Sequence, residues 1–235
     1  MATPQRFALI PAAGTGVRFG LGMPKQYTPI AGVPLLKRAI DSLHGAVVLP
    51  IVFVVLARDD KLYAEKIGSI PGVAPVYCGG ATRAESVRNG LAAVGEYAQA
   101  EDWVLVHDAA RPCLDLATLH RLLQELEDEA VGGLLAIPLA DTLKRAETGA
   151  GLRAGTTESR EGLWRAQTPQ MFRYAILQHA LRKADVTAIT DEAQAIEALG
   201  VKPRLIQGSP LNIKITYPED VALAEAILAS QARRE

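Results

Sequence analysis

Arg18 and Lys25 stand seven residues apart behind the glycine-bearing turn Ala12-Ala13-Gly14-Thr15-Gly16-Val17, which follows the apolar run Phe7-Ala8-Leu9-Ile10. Glycines let backbone N–H groups approach an anion. A guanidinium adds a planar donor fork, and an ammonium adds a compact charge. Residues 1–40 hold five Lys/Arg (Arg6, Arg18, Lys25, Lys37, Arg38) and no Asp or Glu. Such a loop suits a polyphosphate. It matches neither common phosphate fingerprint: Phe19 stands where G-x-G-x-x-G needs its third glycine, and Lys25 lies between Pro24 and Gln26 instead of in Gly-Lys-Ser/Thr.

A second candidate is His107-Asp108-Ala109-Ala110-Arg111-Pro112, directly after Trp103–Val106. Asp108 is thereby expected at the carboxyl end of a strand, the edge of an open parallel sheet where ligands bind. A carboxylate facing a cationic loop could hold Mg2+, which takes one or two carboxylates plus phosphate oxygens. Arg111 could reach the same anion, or simply pair with Asp108. His107 reads as a structural histidine. In Gly79-Gly80-Ala81-Thr82-Arg83-Ala84-Glu85-Ser86, two glycines would admit a flat ligand such as a base, and Ser86 could add a hydrogen bond. Thr82 with Glu85 also forms a capping box, so a plain helix start explains the same residues. Lys214, between Ile213 and Ile215 on a short strand, points into a pocket or sits on a solvent face. Thr142, Lys144, Arg160, Gln167 and Thr168 are unremarkable polar residues in isolation, and Thr190-Asp191-Glu192 reads as a helix cap with first-turn acids.

These groups need a scaffold. Apolar runs at Phe7–Pro11, Ile51–Leu56, Ala74–Cys78, Trp103–His107, Gly133–Pro138 and Lys202–Gln207 read as strands. Continuous runs such as Ile51-Val52-Phe53-Val54-Val55-Leu56 predict parallel strands buried on both faces. Helical patterns lie between them at Pro34–Leu43, 83–97, 115–129 (with Asp115 as N-cap) and from Pro218 to about Gln231. The alternation predicts a doubly wound α/β sheet. Residues 139–162 break it: two polar half-runs flank Gly149-Ala150-Gly151, the pattern of a hairpin. A lone hairpin is marginal in water, so it should pack on something, most simply a second subunit. The expected organisation is one domain over residues 1–235 with a dimerisation arm at about 139–162.

The 235 residues carry a net charge of −1, so the +5 of the first 40 is offset by −6 over the rest. Basic character is local, which argues against nucleic-acid binding and for a small anionic ligand. Cys78 and Cys113 fit no metal spacing and no disulfide framework; with no leader-like start and no membrane-length apolar run, a cytoplasmic protein with reduced thiols is expected.

In order, the chain carries A-A-G-x-G-x-R, P-K-Q-Y, G-G-x-x-R-x-x-S-V, V-H-D-A-A-R-P, D-T-x-K, L-W-x-x-Q-T-P-Q, T-D-E and N-I-K-x-T-x-P-E-D, from about residue 6 to residue 229. This set resembles the 2-C-methyl-D-erythritol 4-phosphate cytidylyltransferases of non-mevalonate isoprenoid precursor synthesis. The resemblance implies a Rossmann-like nucleotidyltransferase fold with a mostly parallel twisted sheet and a protruding β-hairpin arm. It also implies CTP, Mg2+ and a homodimer with exchanged arms. Carried over, Arg18 and Lys25 stabilise charge at the α-phosphate, with Gly14 and Gly16 in the same loop. Asp108 holds Mg2+. Ala12, Ala13, Gly80 and Ser86 contact the cytidine. Arg160 of the partner subunit and Lys214 grip the acceptor phosphate, and Arg111, Thr142 and Thr168 line its pocket. Two positions depart from the family pattern: Ala81, where a charged residue is common, and Leu211, where Asp is common. Two other readings stay open: a cytidylyltransferase for another sugar or polyol phosphate, such as ribitol 5-phosphate, and a non-catalytic nucleotide-binding protein.

Overall fold

A computed structural model describes residues 3–14, 23–45, 47–147, 149 and 151–233. The chain forms β1 (Arg6–Pro11), a small ladder of β2 (Pro29–Ile30) and β3 (Val33–Pro34), α1 (Leu35–Asp41), β4 (Val52–Val55), α2 (Leu62–Lys66), β5 (Val73–Val76), α3 (Arg83–Val94), β6 (Trp103–Val106) and α4 (Leu116–Glu125). There follow β7 (Gly132–Pro138), β8 (Leu143–Ala146), β9 (Ala154–Glu158), β10 (Trp164–Arg173), α5 (Tyr174–Lys183), α6 (Glu192–Glu197), β11 (Arg204–Gln207) and α7 (Asp220–Gln231).

Seven strands make one sheet in the order β11-β7-β10-β6-β1-β4-β5. β1 pairs in parallel with β4 and β6, β4 with β5, and β7 with β11. Only β10 runs against its neighbours, pairing antiparallel with β6 and β7. The sheet is mostly parallel, as the unbroken apolar runs predict. Strand side chains alternate between faces, and both faces are buried. Ala8, Ile10, Val52, Val54 and Leu105 pack with Leu36 and Ile40 of α1 and Leu119 and Leu122 of α4. Phe7, Leu9, Phe53, Val55 and Val104 pack on the other face with Val87 and Leu91 of α3 and Leu177 and Leu181 of α5.

β10 and α5 lie beyond the elements that the sequence patterns predict, as do α2 and the β2–β3 ladder. β10 contains Pro169 beside Gln167, Thr168 and Gln170, and a central proline cannot donate to a ladder. The structure accommodates it at an irregularity: between the pairs Ala166–Ala136 and Gln170–Leu134, β10 has two more residues than β7. Such bulges re-aim side chains beside active sites. One expectation is corrected. Residues 213–216 around Lys214 form no ladder strand; they run extended without strand pairing, tied by the Ile215 N–H to the Ala110 carbonyl. The Pro218 helix begins two residues later, at Asp220.

The arm is present as β8 paired antiparallel with β9, with a register shift between Lys144 and Ala146. It is exposed through most of its length; Leu152 is 95% exposed.

Candidate active site

A cavity of about 480 Å³ opens at the carboxyl ends of β1, β5 and β6, lined by Ala12, Ala13, Gly14, Lys25, Gly80, Ala81, Thr82, Arg83, Ser86, Asp108 and Lys214 among others. Its size suits a nucleotide-scale ligand. Residues of the segments 12–27, 79–86 and 107–112 meet here together with Lys214. Gly16 and Arg18 lie outside the described residues.

The loops that follow β1 and β5 touch because Gly79 has no side chain. A Cβ there would collide with the Ala13 Cβ and the Leu56 carbonyl. Ser86 then fixes the second loop: its hydroxyl accepts from the Gly80 N–H (3.1 Å) and donates to the Thr82 carbonyl (3.0 Å). The predicted capping box is made, with Thr82 Oγ1 accepting from the Glu85 N–H (3.1 Å) and the Glu85 carboxylate from the Ala81 N–H (2.7 Å). The helix start read from the sequence is made, and the same segment shapes a cavity wall.

Lys25 opens a 3-10 turn, Lys25–Tyr27, whose other residues are buried. Gln26 donates to the Ala12 carbonyl (2.9 Å), and the Tyr27 hydroxyl donates to Asp60 (2.7 Å). These anchors lock the turn on both sides. The Lys25 ammonium is thereby held at the cavity, where it also donates to the Ile215 carbonyl (2.6 Å).

Asp108, 6% exposed, is the centre of the charge arrangement. Its Oδ1 accepts from Arg83 Nε and its Oδ2 from Lys214 Nζ, both at 2.7 Å, while Arg111 Nε stands 3.9 Å from Oδ2. Burial alone would push this carboxyl up, but Arg83 first and Lys214 next outweigh it and hold it well below the usual carboxylate range. Lys214 reaches Asp108 because its neighbour is buried the other way. Ile215 is fully buried with Ile30, Leu35, Cys113 and Ala224, packed against α7. Burying that side chain contributes about 1.5–3 kcal/mol toward holding the segment. The solvent-face alternative for Lys214 gives way to a half-exposed side chain with its ammonium in the cavity.

Beneath Asp108 runs a neutral relay. The Thr168 hydroxyl accepts from the Asp108 N–H (3.0 Å) and bonds His107 Nδ1 (3.1 Å), while His107 Nε2 faces the Arg111 carbonyl (3.0 Å). A carbonyl can only accept, so Nε2 carries the proton and Nδ1 accepts from Thr168. Burial lowers the His107 pKa to about 4, which keeps the ring neutral. His107 is structural, as the sequence indicates. Arg111 is buried too; it donates to the carbonyls of Asn212 (2.7 Å) and Ala166 (3.3 Å). Thr168 and Arg111 thus stand behind the cavity wall. Thr142 and Arg160 are exposed at the base of the arm, outside the cavity lining, and the Arg160 guanidinium donates to the Ala140 carbonyl. Lys144 bonds Thr157 across the arm, and Gln167 donates to the Ser209 carbonyl (2.8 Å).

Two site residues escaped sequence reasoning. Arg83 carries no role in the sequence reading, yet it binds Asp108. Glu192 reads as a first-turn acid but is fully buried, and its carboxylate receives Arg83 NH1 (2.6 Å) and NH2 (3.0 Å). Asp191 does cap α6, accepting from the Gln194 N–H (2.9 Å). Their appearance in the ordered motifs, R of G-G-x-x-R and E of T-D-E, was the available signal.

Residues 7–230 match the family model of the 2-C-methyl-D-erythritol 4-phosphate cytidylyltransferases. The chain belongs to this family. The cytidylyltransferase so named from Dechloromonas aromatica (strain RCB) is 52% identical over 230 residues, covering 97% of this chain and 99% of the relative. That from Nitrosospira multiformis is 53% identical over 226 residues, covering 94% and 97%. Among solved structures, a 4-diphosphocytidyl-2C-methyl-D-erythritol synthase superposes with a TM-score of 0.84 at 41% identity, covering 97% of this chain and all of that one. The Francisella tularensis cytidylyltransferase gives 0.80 at 30% identity, covering 95% and 99%. The fold is the Rossmann-like nucleotidyltransferase fold of these cytidylyltransferases.

Proposed function

We infer that this chain transfers the cytidylyl group of CTP to 2-C-methyl-D-erythritol 4-phosphate, giving 4-diphosphocytidyl-2-C-methyl-D-erythritol and pyrophosphate. Family membership across residues 7–230 carries the reading. The cavity supports it: Lys25, Arg83 and Lys214 line one space with, among the described residues, a single lining carboxylate, Asp108. Such a site suits two anions that must be brought together.

The acceptor's phosphate oxygen forms a bond to the α-phosphorus as the bond from that phosphorus to the β-phosphate oxygen breaks, and pyrophosphate leaves with the electron pair. The chemistry asks for in-line positioning and charge neutralisation more than a covalent catalyst. Lys25, with Arg18, offsets charge building on the α-phosphate oxygens. Lys214 grips the acceptor phosphate and aims its oxygen. Ala12, Ala13, Gly80 and Ser86 hold the cytidine.

Asp108 fits a magnesium ion as its one protein carboxylate. It is ionised, it lines the cavity, and each of its oxygens has one nitrogen within hydrogen-bond distance, which leaves an acceptor position on each. Among the described residues no cluster of three acidic, His or Cys side chains exists, so the other positions fall to phosphate oxygens and water. Bound there, Mg2+ would neutralise charge on the triphosphate.

The arm is proposed to exchange between two copies, bringing Arg160 into the partner's site. Its exposed apolar residues, Leu152, Leu163 and Trp164, support that reading. Arg160→Ala and Lys25→Ala chains, each impaired alone, are expected to recover about a quarter of wild-type activity when co-expressed, one intact site per mixed dimer. Recovery of nothing would place each site within one chain. A cytoplasmic setting is proposed as well: both cysteines are unpaired, and no helix of the described residues is long and apolar enough to cross a membrane.

Pyrophosphate release with CTP and a panel of polyol phosphates tests the function. Turnover is expected with 2-C-methyl-D-erythritol 4-phosphate. A preference for ribitol 5-phosphate would reassign the acceptor, and no turnover with any would favour a nucleotide-binding protein.

A further inference from the structure

Glu192 lies on α6, well removed in sequence from every motif that lines the cavity, and is fully buried. Both of its carboxylate oxygens are taken by the two terminal nitrogens of Arg83, at 2.6 and 3.0 Å. The third donor of that guanidinium, Nε, goes to Asp108 Oδ1 at 2.7 Å. One planar fork therefore bridges two carboxylates, a geometry open to Arg and closed to Lys. The far oxygen of Asp108 receives Lys214 Nζ at 2.7 Å. Burying a carboxylate costs free energy that an apolar side chain of like size would not incur, and Glu192 is fully out of water.

Arg83 is a quarter exposed and lines the cavity, so without a second partner its guanidinium could turn from Asp108 to any phosphate that enters. Glu192 holds both of its ends. α6 itself is pinned: Asp191 accepts from Gln170 of β10 (2.9 Å), and Gln170 accepts from the Ala193 N–H (2.8 Å). Glu192 thus has a fixed origin in the sheet, and the chain Glu192–Arg83–Asp108–Lys214 carries that position to the cavity.

We propose that Glu192 is a positioning residue for cytidylyl transfer, acting through Arg83 to fix the Asp108 carboxylate so that it presents the Lys214 ammonium to the acceptor phosphate. The proposal rests on the functional reading above. Removing the charge on Glu192 releases one end of Arg83 and lets Asp108 and Lys214 shift together. The loss falls on the acceptor, which Lys214 grips. CTP, held by the loops around Ala12, Gly80 and Lys25, is affected less, and only through the Mg2+ that Asp108 would hold.

The test is steady-state kinetics on wild type, Glu192→Gln, Lys214→Ala and the double variant, with each substrate varied. With Mg2+ saturating, so that the ion Asp108 would hold is not limiting, Glu192→Gln is expected to lower kcat/KM for the polyol phosphate about 10²-fold, the cost of a small misplacement at a reacting centre, with the KM for CTP within about twofold. On the Lys214→Ala background the same change should add less than about threefold, because the two share one path. Equal losses on both backgrounds, or a KM for CTP that rises in step, would show a merely structural role and overturn the proposal. Arg83→Lys, which keeps the charge and loses the fork, is expected to show the same split and stands in if Glu192→Gln does not fold. Wild-type turnover with an unchanged Glu192→Gln rate would overturn this inference alone. No wild-type turnover would overturn the functional reading and the inference with it.

Discussion

Replacing Lys25 by Ala is expected to lower kcat by at least about 10²-fold, the loss typical of a group that stabilises transition-state charge. Lys25 is placed to do so. Its turn is fastened by Gln26 to the Ala12 carbonyl and by Tyr27 to Asp60, which fixes the backbone that carries the ammonium to the cavity. Its bond to the Ile215 carbonyl joins this turn to the segment bearing Lys214. The charge it meets grows as the α-phosphorus takes on a fifth oxygen, so the loss appears mainly in kcat, and the KM for CTP changes less. The fold does not depend on it: Gln26 and Tyr27 make the buried contacts, and the melting temperature should stay within a few degrees of wild type, as for a change worth less than about 1 kcal/mol. Stopped-flow or steady-state pyrophosphate release measures the effect. A near-wild-type kcat would remove Lys25 from the chemistry.

Lys214→Ala is expected to give the second large effect, a fall of about 10²–10³-fold in kcat/KM for the acceptor. Two losses combine. The acceptor phosphate forfeits its cation, and Asp108, buried and ionised, forfeits its partner on Oδ2. Arg83, shared with Glu192, and the more distant Arg111 then balance the carboxylate, and an incoming phosphomonoester, carrying about −1.5 to −2 at neutral pH, meets a more negative wall. Lys214→Arg should not restore the activity, because a forked guanidinium does not occupy the place of a compact ammonium. Varying each substrate separately checks this: a loss borne by CTP instead of the acceptor would contradict the assignment.

Where sequence patterns follow simple physics, they foretold the structure. The continuous apolar runs became β1, β4, β6 and β7, because strands covered on both faces have no polar side to show. The caps at Thr82, Asp115 and Asp191 form as their residue types require. Asp108 falls at the strand end where a parallel sheet presents its ligands. β10 was hidden by its own composition: Pro169 and three polar neighbours resemble a loop, and only pairing with β6 and β7 makes them a strand. Glu192 was hidden for a different reason. A glutamate after a cap is ordinarily a solvated first-turn acid, and its burial depends on Arg83, more than a hundred residues away. No local window contains that pair. Lys214 was ambiguous in the same way, since Ile213 and Ile215 say that it alternates with buried residues but not what it faces.

The claim that the acceptor's phosphate attacks the α-phosphorus of CTP is tested most directly with 2-C-methyl-D-erythritol 4-phosphate labelled with oxygen-18 in its phosphate. After incubation with CTP and Mg2+, mass spectrometry should find all of the label in 4-diphosphocytidyl-2-C-methyl-D-erythritol and none in the pyrophosphate. Label in the released pyrophosphate or inorganic phosphate, or no diphosphocytidyl product at all, would contradict it.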